Sequence, residues 1–300
     1  MVESKNIAAV LCSDIHLSHR PPVARSAEPD WYEAMRRPLR ELASLASKHK
    51  APVICAGDVG DRWNCPSELV NFALAELPQM YAVPGQHDLP MHSLDDLKRT
   101  SFWTLVKAGK IIPLSKDQPI EVEGAWPVRL WGFPFGTKPI PLKDPHDLLL
   151  EVAVVHRYVW TKRTGYPGAP EKNRLKRFLG MVGGYDAVVV GDNHRGFLAG
   201  KVLNCGAMMR RKMDEKDYTP SVGLLTADGK IVRHELDCSK DKFIKPSRKE
   251  TEPDMREFLR ELDSLWDATI DFSEAVKRSL GEENMPEEVK RLILQSLETT

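Results

Sequence analysis

The chain has 300 residues, 42% hydrophobic and 29% charged, which suits one large domain or a main domain with an accessory piece. No apolar run approaches the roughly 20 residues of a membrane span, and the N-terminus has no secretory pattern, so a cytoplasmic protein without a membrane partner is expected. Net charge is zero, yet residues 251–300 carry 13 acidic and 6 basic side chains, leaving 30 and 37 in residues 1–250; a basic body suits a polyanionic partner, or merely reflects scattered surface lysines.

In chain order, Ile7–Cys12 is an apolar, strand-like run that stops at Ser13-Asp14. Trp31–Lys50 reads as a helix with a break or restart at Pro38. Val53–Ala56 predicts a second buried strand that closes on Gly57-Asp58. Pro66–Leu77 predicts an amphipathic helix with Pro66 in its first turn and Leu69, Phe72, Ala73 and Leu77 on one face. Met80–Val83 is a third strand, closing on Pro84-Gly85-Gln86-His87-Asp88. Val128–Trp131, then Val152–Val155 before His156, then Ala187–Val190 before Gly191-Asp192-Asn193-His194 continue the pattern. From Val202 to Asp237 short strands alternate with Gly and Asp turns, and Asp228-Gly229 signals a hairpin. The expected fold class is α/β: a layered sandwich of two central mixed β-sheets flanked by helices, over residues 1–238.

Residues 239–253 read as a linker, rich in Lys, Ser and Pro with little periodicity. Residues 254–300 then read as a helix–loop–helix. Met255, Phe258, Leu259, Leu262, Leu265, Trp266 and Ile270 form one stripe, Gly281 interrupts it, and Pro286 opens a second helix carrying Val289, Leu292, Ile293 and Leu297. Such a hairpin either folds back on its own domain or docks on a partner. The cysteines (Cys12, Cys55, Cys65, Cys205 and Cys238) show no CxxC pairing, so reduced thiols are expected rather than a zinc cluster or disulfide framework.

Five apolar strands thus end in Asp, His or Gly-flanked polar residues. In α/β sheets the carboxyl ends of strands gather ligands, so residues far apart in sequence can converge there. The set is Asp14 and His16, Gly57-Asp58-Val59-Gly60-Asp61-Arg62, Gly85-Gln86-His87-Asp88, His156, and Gly191-Asp192-Asn193-His194. In an extended segment the period of two would put Asp14 and His16 on one side, and likewise Asp192 and His194. The glycines allow tight turns and keep bulk from the site. Mixed carboxylate and imidazole donors suit Mn²⁺, Fe²⁺ or Zn²⁺, and two ions roughly 3.5–4 Å apart, bridged by one carboxylate, can activate water and clamp a phosphoryl oxygen. His19, His49, His92, His146 and His234 stand outside this pattern and read as ordinary structural histidines.

DxH, GDxxDR, GxHD, an isolated His and GxxH, in this order over residues 7 to 237, resemble the calcineurin-like metallophosphoesterase superfamily. The resemblance implies that Asp14, His16, Asp58 and His194 hold one metal, and that Asp58 bridges to a second held by Gln86, His156 and Asp192. It further implies that His87 acts on the leaving oxygen, that Asp61 orients His87 and that Arg62 contacts phosphate. Mn²⁺ is the expected ion, with Mg²⁺, Fe²⁺ or Zn²⁺ as alternatives. Two positions depart from the pattern. Gln86 stands where the family has Asn, a longer arm with the same carbonyl; Asp192 stands where it has His, which makes the second site harder. The pair either retunes that site or weakens it.

Within the superfamily the chain resembles the nuclease subunits of SbcCD-type DNA repair and recombination complexes and their phage-encoded relatives. The resemblance rests on Ser13-Asp14-Ile15-His16-Leu17, on GDxxDR followed by a Pro-Ser-Glu helix, on Asn204 to Arg211, and on the C-terminal helix–loop–helix. It implies a DNA exo- or endonuclease, with DNA as partner, and an SbcC-type coiled-coil ATPase docking on the C-terminal helices; a homodimer is a further option. Arg157, Arg195, Arg210 and Arg211 are candidate DNA contacts, with Lys162, Arg163 and Lys212 nearby and Tyr158, Trp160 and Tyr166 available to stack on bases. The same residues also read as solvated loop charges and packing aromatics. Two other functions stay open: a phosphatase or phosphodiesterase for small molecules or proteins, and a non-catalytic binding module that has lost its second metal.

Overall fold

Ile7–Cys12 forms strand β1, buried along its whole length because its two faces meet different apolar layers. Val10 and Cys12 face helices, whereas Ala9 and Leu11 face a second sheet. The computed structural model that establishes this describes residues 6–244 except Asp147 and Pro167; residues 245–300, with the expected C-terminal helices, lie outside the described residues.

On one side β1 pairs in parallel with β2 (Val53–Cys55), which continues into β3 (Met80–Ala82) and β4 (Ile111–Pro113). On the other it pairs antiparallel with β11 (Ser221–Thr226), followed by β12 (Ile231–Glu235) across the Asp228-Gly229 turn. The second sheet has the order β5 (Ile120–Val122), β6 (Val128–Phe133), β7 (Leu150–His156), β8 (Ala187–Gly191), β10 (Val202–Asn204), β9 (Phe197–Ala199). Its centre, β6 to β10, is parallel, and both edge strands are antiparallel. The two mixed sheets stack on a core of Leu11, Ile54, Leu130, Val152, Val154, Val189 and Leu203.

Helices α1 (Trp31–His49), α2 (Ser67–Glu76) and α3 (Ser101–Lys107) cover the outer face of the first sheet, and α4 (Leu175–Phe178) lies on that of the second. The expected break at Pro38 does not occur: α1 runs through it. Proline there costs about 3 kcal/mol, but Trp31, Ala34, Met35, Leu39, Leu42 and Leu45 form one buried stripe. At about 1.5–3 kcal/mol per large side chain, keeping that stripe on the sheet outweighs one missing backbone bond. Asp30 caps the start by accepting from the Glu33 amide, and Lys50 ends the helix in a left-handed turn.

Parallel β1, β2, β3, β7 and β8 deliver whatever follows them to one edge of the sandwich. Cys12, Cys55 and Cys205 are buried free thiols. Among the described residues no helix is long and apolar enough to cross a membrane.

Residues 239–244, the first of the predicted linker, lie on the domain. The Asp241 carboxylate accepts from Arg25, Arg37 and Arg210 at 2.8, 3.1 and 2.9 Å, and Glu28 takes Arg25 at 2.5 Å. The Phe243 ring lies 5.1 Å from both the Arg25 and Arg210 guanidinium carbons. Arg25 is only 2% exposed, so its charge depends on these acceptors. Asp241→Ala is therefore expected to destabilise the protein by about 3 kcal/mol, measured as a lower urea midpoint; an unchanged midpoint would mean that the arginines find other acceptors.

Candidate metal centre

Short loops after the parallel strands bring Asp14, His16, Asp58, Gln86, His87, His156, Asp192 and His194 together at that edge. The extended geometry expected for the Asp14–His16 and Asp192–His194 pairs is not what converges them. Asp14, His16, Asp58 and Asp192 all have left-handed backbone, with φ of 50°, 50°, 54° and 82°. Each left-handed step costs an L-residue roughly 1–2 kcal/mol, least for Asp and His. Paired loops hold these steps: the Asp14 amide donates to the Gly57 carbonyl, His16 to Asp58, and Leu17 to Val59.

The glycines make room. A Cβ on Gly85 would meet the Asp58 carboxylate and, at 2.6 Å, His156 Cε1; one on Gly57 would strike the His156 ring, and one on Gly191 the Ala56 carbonyl. Asp88, quoted in its motif without a role, proves to be the clamp. Its buried carboxylate accepts from the amides of Val59, Gly60 and Gly85 at 3.3, 3.0 and 2.9 Å, tying the second and third loops together. Burial, reinforced by Asp58, pushes its pKa up to about 7. Asn193, between Asp192 and His194, donates to the carbonyls of Val159 and Thr164 and so moors the loop that follows His156.

The donor atoms face one another. Nε2 of His16 and Nε2 of His194 are 3.0 Å apart, and Asp58 Oδ2 lies 3.7 Å from His16 Nε2 and 3.5 Å from His156 Nε2. His156 Nδ1 faces the Ala56 carbonyl at 2.5 Å and His87 Nδ1 the Asp61 carbonyl at 2.9 Å. Both rings thereby turn Nε2 inward. Asp14 Oδ2 and Asp58 Oδ2 are fully buried and have no hydrogen-bond partner among the described residues. Two unpaired carboxylate oxygens without water would each cost several kcal/mol, so the residues fit a cation as the missing partner. Among the described residues, three groups of mutually close donors could hold one: Asp14, His16 and His194; Asp14, Asp58 and His156; and His16, Asp58 and His87. Asp58 Oδ2 lies between the His16 and His156 imidazoles. Gln86 joins the remaining candidates, its carbonyl 2.5 Å from His156 Nε2 and its amide donating to Asp192 at 2.7 Å.

Electrostatics tell the same story. Burial raises the Asp14 carboxyl to about 6 despite His156 and His194. Burial also opposes ionisation of Asp58, but His156, His16 and His87 together hold it below the usual carboxylate range. Burial disfavours charge on His156 as well, yet Asp58, Asp14 and Asp192 raise it to about 10. A proton on His156 stands in for the positive charge this acidic pocket calls for.

The expected substrate contacts separate. Asp61 meets His87 through its carbonyl; its carboxylate pairs instead with Arg211 and lies 3.8 Å from His16 Nδ1. Arg62 and Arg195 are exposed, and Arg157 is held by Asn173 Oδ1. Arg210 is not brought to the site: it is buried against Asp241, the Cys238 carbonyl and the Lys216 carbonyl. Sequence reasoning also passed over Glu215, whose carboxylate lies 3.8 Å from His194 Nδ1 across a loop that no spacing rule connects to the site.

A family model described as calcineurin-like phosphoesterase matches residues 8–196. Among solved structures, the chain is similar to the calcineurin-like phosphoesterase YfkN from Bacillus subtilis, with 10% identity, 80% of this chain and 88% of that one covered, and a TM-score of 0.46. It is also similar to the NAD nucleotidase NadN from Haemophilus influenzae, with 14% identity, 86% and 56% covered and a TM-score of 0.42, and to TT1561 of Thermus thermophilus, with 13% identity, 77% and 99% covered and a TM-score of 0.40. No curated protein matches the sequence.

Gly85→Ala is expected to weaken Mn²⁺ binding at least about tenfold while leaving the far-ultraviolet circular dichroism unchanged, because its Cβ would displace the Asp58 carboxylate. Wild-type affinity in a calorimetric titration would mean that the loop accommodates the methyl group.

Proposed function

This chain belongs to the calcineurin-like phosphoesterase family, and from that premise we propose that it is a two-metal phosphodiesterase that cuts DNA with Mn²⁺ bound. The observation that carries the reading is the pair of buried, partnerless carboxylate oxygens, Asp14 Oδ2 and Asp58 Oδ2, among inward-facing imidazole nitrogens. Asp14, His16, Asp58 and His194 would hold one ion, and Asp58, Gln86, His156 and Asp192 the other. Both ions when bound supply Lewis acidity, lowering the pKa of water and neutralising charge on the phosphoryl oxygens. The hard oxygen donors Gln86 and Asp192 favour Mn²⁺ or Mg²⁺ over softer ions.

His87 has a separate task. Its Nδ1–H is held by the Asp61 carbonyl and its ring rests edge-on against His16, with centroids 4.9 Å apart. With the ring protonated at both nitrogens, Nε2 can pass its proton to the departing sugar oxygen, leaving the neutral Nδ1–H tautomer, a role worth roughly 10²–10⁴ in rate. Exposed Arg62 and Arg195 are free to meet flanking phosphates, and exposed Lys162, Arg163 and Tyr166 lie on the loop that Asn193 moors to the site. These surroundings support a polynucleotide over a small phosphomonoester. The apolar stripes within residues 254–300 support docking of a coiled-coil ATPase on that segment.

With Mn²⁺ supplied, the purified protein is expected to degrade linear duplex DNA and hydrolyse bis(p-nitrophenyl) phosphate much faster than p-nitrophenyl phosphate. Chelation should abolish all three activities. His87→Ala should lower the diesterase kcat by roughly 10²–10⁴ with two Mn²⁺ still bound. Faster monoester hydrolysis would favour a phosphatase, and one bound ion with no hydrolysis would favour a binding module.

A further inference from the structure

Glu215 and Arg211 lie on the loop between β10 and β11, outside the set of candidate metal ligands, yet they reach the back of the candidate site. The Glu215 carboxylate is fixed by the turn it closes: its Oε2 accepts from the backbone amides of Arg211 at 2.6 Å and Lys212 at 3.1 Å. That leaves Oε1 facing His194 Nδ1 at 3.8 Å. The Arg211 guanidinium donates to Asp61 Oδ1, and the same oxygen lies 3.8 Å from His16 Nδ1. Buried His16 Nδ1 has no hydrogen-bond partner among the described residues. Two carboxylates thus stand behind the two imidazoles whose Nε2 atoms meet 3.0 Å apart, and Arg211 touches both, one through its amide and the other through its side chain.

We propose that Arg211 is a positioning residue: it braces Asp61 and Glu215 as the acceptors that orient His16 and His194 for the ion they share with Asp14 and Asp58. The inference rests on the metal assignment of the preceding subsection. An imidazole that ligates through Nε2 must carry its proton on Nδ1, and a carboxylate behind Nδ1 fixes both that tautomer and the ring plane. The free carboxylate of Asp61, 22% exposed at its side chain, would otherwise turn to water. A guanidinium can hold it and leave its oxygen available to a second donor. Arg211 therefore acts behind the site, in place of the DNA contact its position in the sequence suggested.

The test is the Mn²⁺ affinity and stoichiometry of the full chain, measured by calorimetry for wild type, Arg211→Ala, Arg211→Lys and Glu215→Gln, with kcat and KM on bis(p-nitrophenyl) phosphate alongside. Arg211→Ala and Glu215→Gln should each weaken one of the two Mn²⁺ sites by about 10- to 100-fold and leave the other unchanged. Arg211→Lys, which keeps the charge and can still reach Asp61, should recover part of that loss. The melting temperature of the metal-free variants should match that of wild type; a large fall with both sites weakened equally would make Arg211 a general structural residue and overturn the proposal. Wild-type Mn²⁺ affinity with a raised KM would place Arg211 on the substrate and overturn this inference alone. A wild-type protein that binds no Mn²⁺ would overturn the metal assignment and this inference with it.

Discussion

Two carboxylates shut away from water dominate this molecule. Asp14 and Asp58 are 0% exposed, each keeps an oxygen without a partner, and each raises the other's cost of ionisation. Nothing in the apolar interior can relieve that except positive charge, so a ring of imidazoles and amides surrounds the pair. The His87 amide donates to Asp58 Oδ1 and the Asp192 amide to Asp14 Oδ1, leaving the Oδ2 atom of each carboxylate to face the other groups of the site. The left-handed turns, the bare glycines and the Asp88 clamp are the means of holding that charge in place.

The sandwich makes this possible because its strands are parallel where it matters. Three strand ends from one sheet and two from the other open on the same edge. The two halves meet through side chains rather than through strand pairing: His156 reaches the Ala56 carbonyl from the opposite sheet, and Gln86 spans His156 and Asp192. Bridging of this kind explains why single motifs are uninformative alone. Each supplies one wall, and the chemistry lies in the gap.

Much of this was legible in the sequence, and the limits follow from the physics. Long apolar runs such as Leu150–His156 and Ala187–Gly191 announce themselves because both faces are buried. Three-residue strands such as Ile111–Pro113, Ile120–Val122 and Phe197–Ala199 carry no readable period. Pro38 misled because propensity is local and the buried stripe of α1 is not. The residues of the candidate site were identifiable from their place after each strand, but the reason they converge was not: an alternating pattern hides a left-handed turn at Asp14 or Asp192. Glu215 was invisible because a carboxylate on an irregular loop has no spacing signal at all. Arg210 and Arg211, adjacent and chemically identical on paper, go separate ways, one to Asp241 and one to Asp61.

The acceptor of Arg25 has a consequence for how the protein is made. A ribosome delivers the chain from its N-terminus, so Arg25 emerges long before Asp241, the carboxylate that it shares with Arg37 and Arg210. Until then Arg25 has Glu28 but lacks its second acidic partner, and Arg210, next to the brace of the candidate site, lacks the carboxylate that holds it. The nascent domain can collapse its sheets early, since their core lies within residues 8 to 231. The cluster of Arg25, Arg37 and Arg210 settles last, once Asp241 has left the ribosome and can reach it.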